Sequence, residues 1–227
     1  MVKYMNILSI LRRKVNWHNL LNLEPVSRKF GFDRGTPVDR IYIDDFLKNN
    51  QSYISGIVCE IADSYYSKKF GHNVIKYEVL HYDSSNLNAT IVGDLTKREL
   101  LPSNYVDCFI LTQTLNFIYD VKAAVEGIYH ILAKQGVALI TVAGISQISR
   151  YDMDRWGDYW RFTDLSIRKI FEDVFGKENI QIEVYGNVLT ATAFLQGISV
   201  EELPKEKIFF RDMDYQVTIV VRAHKNV

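Results

Sequence analysis

Apolar runs of strand length alternate with stretches of helical period along most of this chain. Residues 54–61, 77–82, 89–92 and 107–112 read as four strands, each ending at or beside a polar residue. A helix over 119–133 follows, with Val121, Ala124, Val125, Ile128 and Leu132 on one stripe. Residues 136–142, rich in β-branched and small apolar side chains, predict a fifth strand, and 165–175 a helix capped by Thr163. Strands over 180–185 and 215–221 finish the chain. Ahead of the first strand, 38–50 predicts a helix burying Val38, Ile41, Phe46 and Leu47 beside Tyr42, with Thr36 as its cap and Pro37 in its first turn. Such alternation predicts an open, Rossmann-like α/β sheet, mostly parallel, with helices on both faces. Strands apolar throughout suit parallel neighbours buried on both sides.

Residues 1–36 read as an N-terminal arm and 37–227 as a single domain. Ile7, Leu8, Ile10, Leu11, Leu20 and Leu21, with Arg12, Arg13 and Lys14 between, predict a short amphipathic helix for docking on the body, a partner or a membrane surface. The turn chemistry of Gly31, Asp33, Gly35 and Pro37 closes the arm.

The strand ends carry the candidate chemistry. In doubly wound sheets a ligand lies across the carboxyl ends of the strands where their order reverses. Glu60 closes the first strand, His81 or Asp83 the second and Asp94 the third, with His81 near the ~20-residue spacing expected of a ribose-binding group. The first turn reads Ile61-Ala62-Asp63-Ser64, without the glycines a pyrophosphate needs for close approach. Asp63 would repel a pyrophosphate, which disfavours a nicotinamide oxidoreductase. S-adenosylmethionine carries no phosphate, and an acid near its ammonium is favourable. The competing structural readings are a strand-end surface acid for Glu60, a turn cap for Asp94 and a hydrogen-bonded structural ring for His81.

Four stretches then resemble the class I S-adenosylmethionine-dependent methyltransferases: GIVCEIADS, GDLT, LPSNYVDCFILTQTLNFI and ILAKQGVALIT. Three more, PVSRKFGFDRGTPVDRIYIDDFL, DRWGDYWRFT and YGNVLTATAFLQGI, resemble type 11-like methyltransferase domains associated with bacterial polysaccharide synthesis, sometimes alongside glycosyltransferases. The resemblance implies a seven-stranded sheet whose last strand is antiparallel. It places Glu60 beside the methionine portion, Ala62, Asp63 and Ser64 at the turn, and His81 or Asp83 at the ribose. Asp94 and Leu95 would flank the adenine, and Gln113 would lie under the methionine end.

After the fifth strand comes SQISRYDMDRWGDYWRFTD. Trp156, Tyr159 and Trp160 offer flat faces for a sugar ring, and Arg155 and Arg161 suit a phosphate or carboxylate. Asp154, Asp158 and His81 are the candidate general bases for a hydroxyl acceptor. The plainer reading packs Trp160 and Phe162 in the core and pairs Arg161 with an aspartate. The expected activity is O-methylation of a sugar or glycan precursor. The alternative is a methyltransferase-like module without catalysis, serving as a scaffold in glycan assembly.

Composition narrows the partners. Lys+Arg and Asp+Glu are 27 each, so no basic surface for nucleic acid is expected. No apolar run approaches the ~20 residues of a membrane span, and no secretory signal is evident, so a cytoplasmic protein is expected. Cys59 and Cys108 lie inside apolar runs and read as small buried hydrophobes. No His/carboxylate cluster at ligand spacing is visible, so no metal is expected. A small-molecule or glycan substrate, a glycosyltransferase partner or a homo-oligomer completes the expectation.

Overall fold

The structure, a computed structural model, describes residues 21–226. The amphipathic helix expected from Ile7 to Leu21 lies, but for its last residue, outside them. Seven strands form one sheet in the order β3-β2-β1-β4-β5-β7-β6. They are β1 (Gly56–Ile61), β2 (Val74–His81), β3 (Ile91–Val92), β4 (Val106–Thr112), β5 (Leu132–Ala143), β6 (Ile180–Tyr185) and β7 (Thr218–His224). The first five pair in parallel, and β7 runs antiparallel to β5 and β6. This is the mostly parallel seven-stranded α/β sheet expected, with its last strand reversed.

Alternate residues of each strand feed opposite layers. Cys59, Phe109, Leu111, Ala138 and Ile140 pack on one face with α3 (Val121–Ile131) and α5 (Asp164–Phe175). Val58, Cys108, Ile110, Val137 and Leu139 pack on the other with α1 (Val38–Asn49) and α6 (Val188–Gln196). Both cysteines are free and buried, and burial pushes both thiols up. Shorter helices α2 (Tyr65–Phe70), α4 (Arg150–Met153) and α7 (Lys205–Ile208) sit in the connections.

Local chemistry fixes the helix ends. Thr163 caps α5 by accepting from the Ser166 N–H at 3.2 Å. Asp120 caps α3 through the Ala123 N–H at 3.0 Å. Thr36 does not cap α1 as its position predicts; Pro37 is the N-cap residue, and the Thr36 hydroxyl donates to Glu201 at 2.7 Å. That bond is one of several tying residues 27–36 to 196–202. The Ser27 N–H donates to the Gln196 carbonyl at 3.0 Å, and the Val200 N–H to the Thr36 carbonyl at 2.9 Å. The helix α6 was not legible as such, since its mixture of apolar residues and threonines shows no clear helical period. It is set by an Asn187–Thr190 capping box and by Gly197 in the left-handed region, φ 67°. Among the described residues no helix is long and apolar enough to cross a membrane.

Candidate functional site

The strand order reverses between β1 and β4, and a cleft of about 1510 Å³ opens at the carboxyl ends of the strands there. That volume exceeds the roughly 300–1,000 Å³ of most small-molecule sites, so it can hold a cofactor-sized ligand together with a second reactant.

Its floor is the β1–α2 turn. Ala62 adopts φ 68°, the left-handed region that favours glycine. The turn therefore keeps a glycine's shape with an alanine in it, at a cost of about 1–2 kcal/mol. Ser64 has φ −116° and needs no glycine. The Glu60 carboxylate is buried under the turn. One oxygen accepts from the Tyr66 N–H at 2.9 Å and the other from the Ser67 N–H at 2.8 Å, so it caps the start of α2. Burial raises its pKa, against the pull of those two N–H groups. Asp63 accepts from the Tyr65 N–H at 2.8 Å. The Ala62 carbonyl is held from the other side by Asn86 Nδ2 at 2.7 Å, a side chain from the β2–β3 connection.

The next strand ends meet the same cleft. His81 lines it, but Asp83 does not: its carboxylate turns to the Ser85 N–H at 2.9 Å and to His81 Nδ1 at 3.2 Å. The bonds from Ser85 hold Asp83 down to about 2. Asp94 lines the cleft and accepts from the Thr96 N–H and hydroxyl at 2.9 and 2.8 Å. Leu95 is buried beside it, where α3 comes so close that a Cβ on Gly127 would lie 2.0 Å from the Leu95 carbonyl oxygen. Gln113, just past β4, has φ 49° and lines the cleft, and its Nε2 is buried without a partner.

The segment after β5 divides differently. Asp158, Arg161 and Trp156 line the cleft; Asp154, Arg155 and Tyr159 do not. The Arg161 guanidinium grips Asp158 at 2.6 and 2.8 Å and also donates to the Gln147 carbonyl at 2.5 Å. Asp158 accepts from the Ser149 N–H at 2.9 Å as well. Burial alone would raise the Asp158 carboxyl, but Arg161 and Ser149 together hold it below the usual range. It is thus a weak base. Asp154 is an exposed partner of Arg150 at 3.6 Å. Arg155 stacks over Tyr151 at 3.4 Å. Trp160 donates its ring N–H to the Ile118 carbonyl at 3.1 Å while Phe162 is buried in the core. Asp152, passed over in the sequence, lines the cleft with its Oδ2 at 2.5 Å from the Ser149 hydroxyl.

Residues 28–40 supply a further wall. Phe30, Phe32, Asp39 and Arg40 line the cleft, and Arg40 Nη1 donates to the Tyr66 hydroxyl at 3.0 Å. Asp39 and Arg40 follow the buried Val38 and stand off the apolar stripe of α1, so helical period alone did not mark them. Among the described residues no group of three His, Cys, Asp or Glu side chains is arranged to hold a metal ion.

No family model and no curated protein matches the chain. Solved structures do. A SAM-dependent methyltransferase from Archaeoglobus fulgidus is 13% identical, with a TM-score of 0.52 over 82% of this chain and 94% of that one. An S-adenosylmethionine-dependent methyltransferase from Mesorhizobium loti is 16% identical, with a TM-score of 0.52 over 86% of this chain and 100% of that one. The plantazolicin methyltransferase BamL, solved with a substrate analogue and SAH, is 13% identical, with a TM-score of 0.51 over 89% of this chain and 90% of that one. At these identities the likeness establishes the fold, which is that of SAM-dependent methyltransferases.

Proposed function

We propose that the chain is an S-adenosylmethionine-dependent methyltransferase acting on a hydroxyl of a sugar or glycan precursor. The observation that carries the cofactor reading is the convergence of Glu60, Ala62, His81, Asp94 and Gln113, from successive strand ends, on one cleft at the sheet's reversal point. The residues fit the cofactor: the turn has the left-handed shape of a glycine, the buried Gln113 Nε2 lacks an acceptor, and no pyrophosphate has to pass Asp63.

When bound, the cofactor supplies a methyl group already activated by its sulfonium. The chain's task is alignment and exclusion of water. Glu60 holds the turn through Tyr66 and Ser67. His81, oriented by Asp83, would meet the ribose hydroxyls, and Asp94 with Leu95 the adenine. Trp156 and the exposed Tyr119 give the acceptor flat faces at the cleft. Arg161 and Asp158 position the segment after β5. A sugar hydroxyl must also lose its proton, and the acids that line the cleft on this side are Asp152 and Asp158. The glycan reading rests on the resemblance of residues 25–47, 154–163 and 185–198, and brings with it a cytoplasmic setting and a glycosyltransferase partner or homo-oligomer.

A second reading, a binding module without catalysis, draws on the engagement of Asp158 in its ion pair. Calorimetric titration with S-adenosylhomocysteine tests the cofactor site: binding is expected, and absence of both heat and thermal shift would sink it. Methyl transfer to a panel of sugar-nucleotide and glycan acceptors separates enzyme from module.

A further inference from the structure

The connection from α7 to β7 is firmly held, yet it turns apolar side chains to solvent. The buried Asn187 donates its amide to the carbonyls of Lys207 and Phe210 at 3.0 and 2.8 Å. The Asp212 N–H donates to the Gly186 carbonyl at 2.8 Å, and Gln216 Nε2 to the Met213 carbonyl at 3.1 Å. Between these anchors Phe210 is 67% exposed and Met213 57%. Val188, next to Asn187, is exposed as well, and so is Leu165, next to the Asp164 that accepts from Gln216 Nε2 at 2.9 Å. None of these residues lines the cleft. A single exposed apolar side chain is ordinary, but a group of them on a fixed backbone marks a contact surface.

The charges of the same connection are ordered. Residues 205–214 read KEKIFFRDMD. Lys205 and Lys207 stand on one side of Phe209 and Phe210, Asp212 and Asp214 on the other. Counted from the middle of the two phenylalanines, Lys205 and Asp214 are equally far along the chain, and so are Lys207 and Asp212. Among the described residues none of these four forms a salt bridge. Arg211 is already taken: it pairs with Glu183 at 2.7 Å and lies over the Tyr185 ring at 4.1 Å. Glu206 stands between the lysines and leaves that end positive. A second copy, turned about a two-fold axis at the phenylalanines, presents this segment in reverse order. Each lysine end then meets an aspartate end. A partner of one charge sign would satisfy one end and repel the other.

We infer that residues 205–214, with Val188 and Leu165 beside them, form the two-fold contact of a homodimer of this chain. Phe210 and Met213 supply its apolar centre, and the opposed charges set its orientation. The contact lies off the cleft, so it stands or falls apart from the cofactor reading.

Sedimentation velocity on the full chain, over about 1–100 µM, should show a monomer–dimer equilibrium. Phe210→Ser and Met213→Ser should each raise the dissociation constant roughly tenfold or more. Lys205→Glu with Lys207→Glu makes both ends negative, and should leave a monomer. Asp212→Asn with Asp214→Lys makes both ends positive, and should also leave a monomer. Asparagine there keeps the oxygen that accepts from the Asp214 N–H at 3.1 Å. Mixed in equal amounts, the two charge variants should associate with each other. Unchanged circular dichroism and unfolding midpoint identify variants that are folded. A parent that stays monomeric throughout overturns the inference, and so does a dimer that none of the variants weakens. Charge variants that dissociate but do not associate on mixing would rule out the two-fold arrangement.

Discussion

The two halves of the cleft treat their polar groups in opposite ways. On the side of β1, β4 and α1, side chains hold atoms without partners: Gln113 Nε2, Asp39 Oδ1 and Arg40 Nε. On the side of the segment after β5, most charges are closed on one another: Asp158 with Arg161, Arg150 with Asp154, Asp152 with Ser149. Among the buried side-chain atoms of the described residues, Asn116 Oδ1 and Arg161 Nε also lack partners there. The difference separates a half that leaves buried polar atoms unmet from a half whose charges mainly hold a loop in shape. On the methyltransferase reading proposed above, an acceptor would then meet the aromatic faces more than the arginines.

The largest expected effect breaks the self-closed half. Asp158→Ala strands Arg161 and the Ser149 N–H, and should lower unfolding free energy by about 3 kcal/mol, read from urea denaturation. A loss under ~1 kcal/mol, within the range of an exposed pair, would mean that the ion pair is not a brace and that Asp158 is available for chemistry. Next, Glu60→Ala leaves two N–H groups at the start of α2 without acceptors and should cost about 2 kcal/mol and weaken S-adenosylhomocysteine. Weakened binding at full stability would move Glu60 from shaping the turn to touching the ligand. A smaller change, of opposite sign, is expected for Ala62→Gly, which relieves the left-handed alanine and should raise stability by about 0.5–1 kcal/mol. A loss instead would show that the alanine methyl packs productively.

The subtlest test uses pH, because the two halves titrate with opposite sign. Asp158 lies below its ordinary value, so the stability it lends is complete above an unfolded pKa of about 3.9 and is lost as pH falls through the folded value. Glu60 lies above its ordinary value, so its contribution is complete below an unfolded pKa of about 4.3 and declines as pH rises through the folded value. Asp158→Asn should flatten the acid limb of a stability–pH curve, and Glu60→Gln the decline above it. If both variants flatten the same limb, the contrast between the halves is wrong.

Much of the fold was legible because its strands are continuous apolar runs. The residues 180–185 expected as a strand are β6, and 107–112 falls one residue short of β4. The polar closers were legible for the same reason, since a strand's end fixes where its last side chain goes. What escaped depended on contacts distant in sequence. Nothing local announces that Arg40 meets Tyr66, that Asn86 reaches Ala62, or that residues 27–36 bond to 196–202. The helix α6 escaped because its threonines and alanines carry no clear period, and its caps alone define it. The role of Ala62 was half visible: the missing glycine was plain, but only the backbone angle reveals that the turn has kept its shape.

The bond from Asn86 to the Ala62 carbonyl joins the connection that follows His81 to the turn that follows Glu60. It works as a cross-brace between two neighbouring walls of the cleft. Whatever settles the β2–β3 connection also restrains the turn, and the converse holds by reciprocity. Fragments that engage one wall alone must each bear the cost of stiffening this brace, whereas a molecule spanning both bears it once. Their separate affinities will therefore sum to less than the affinity of the whole.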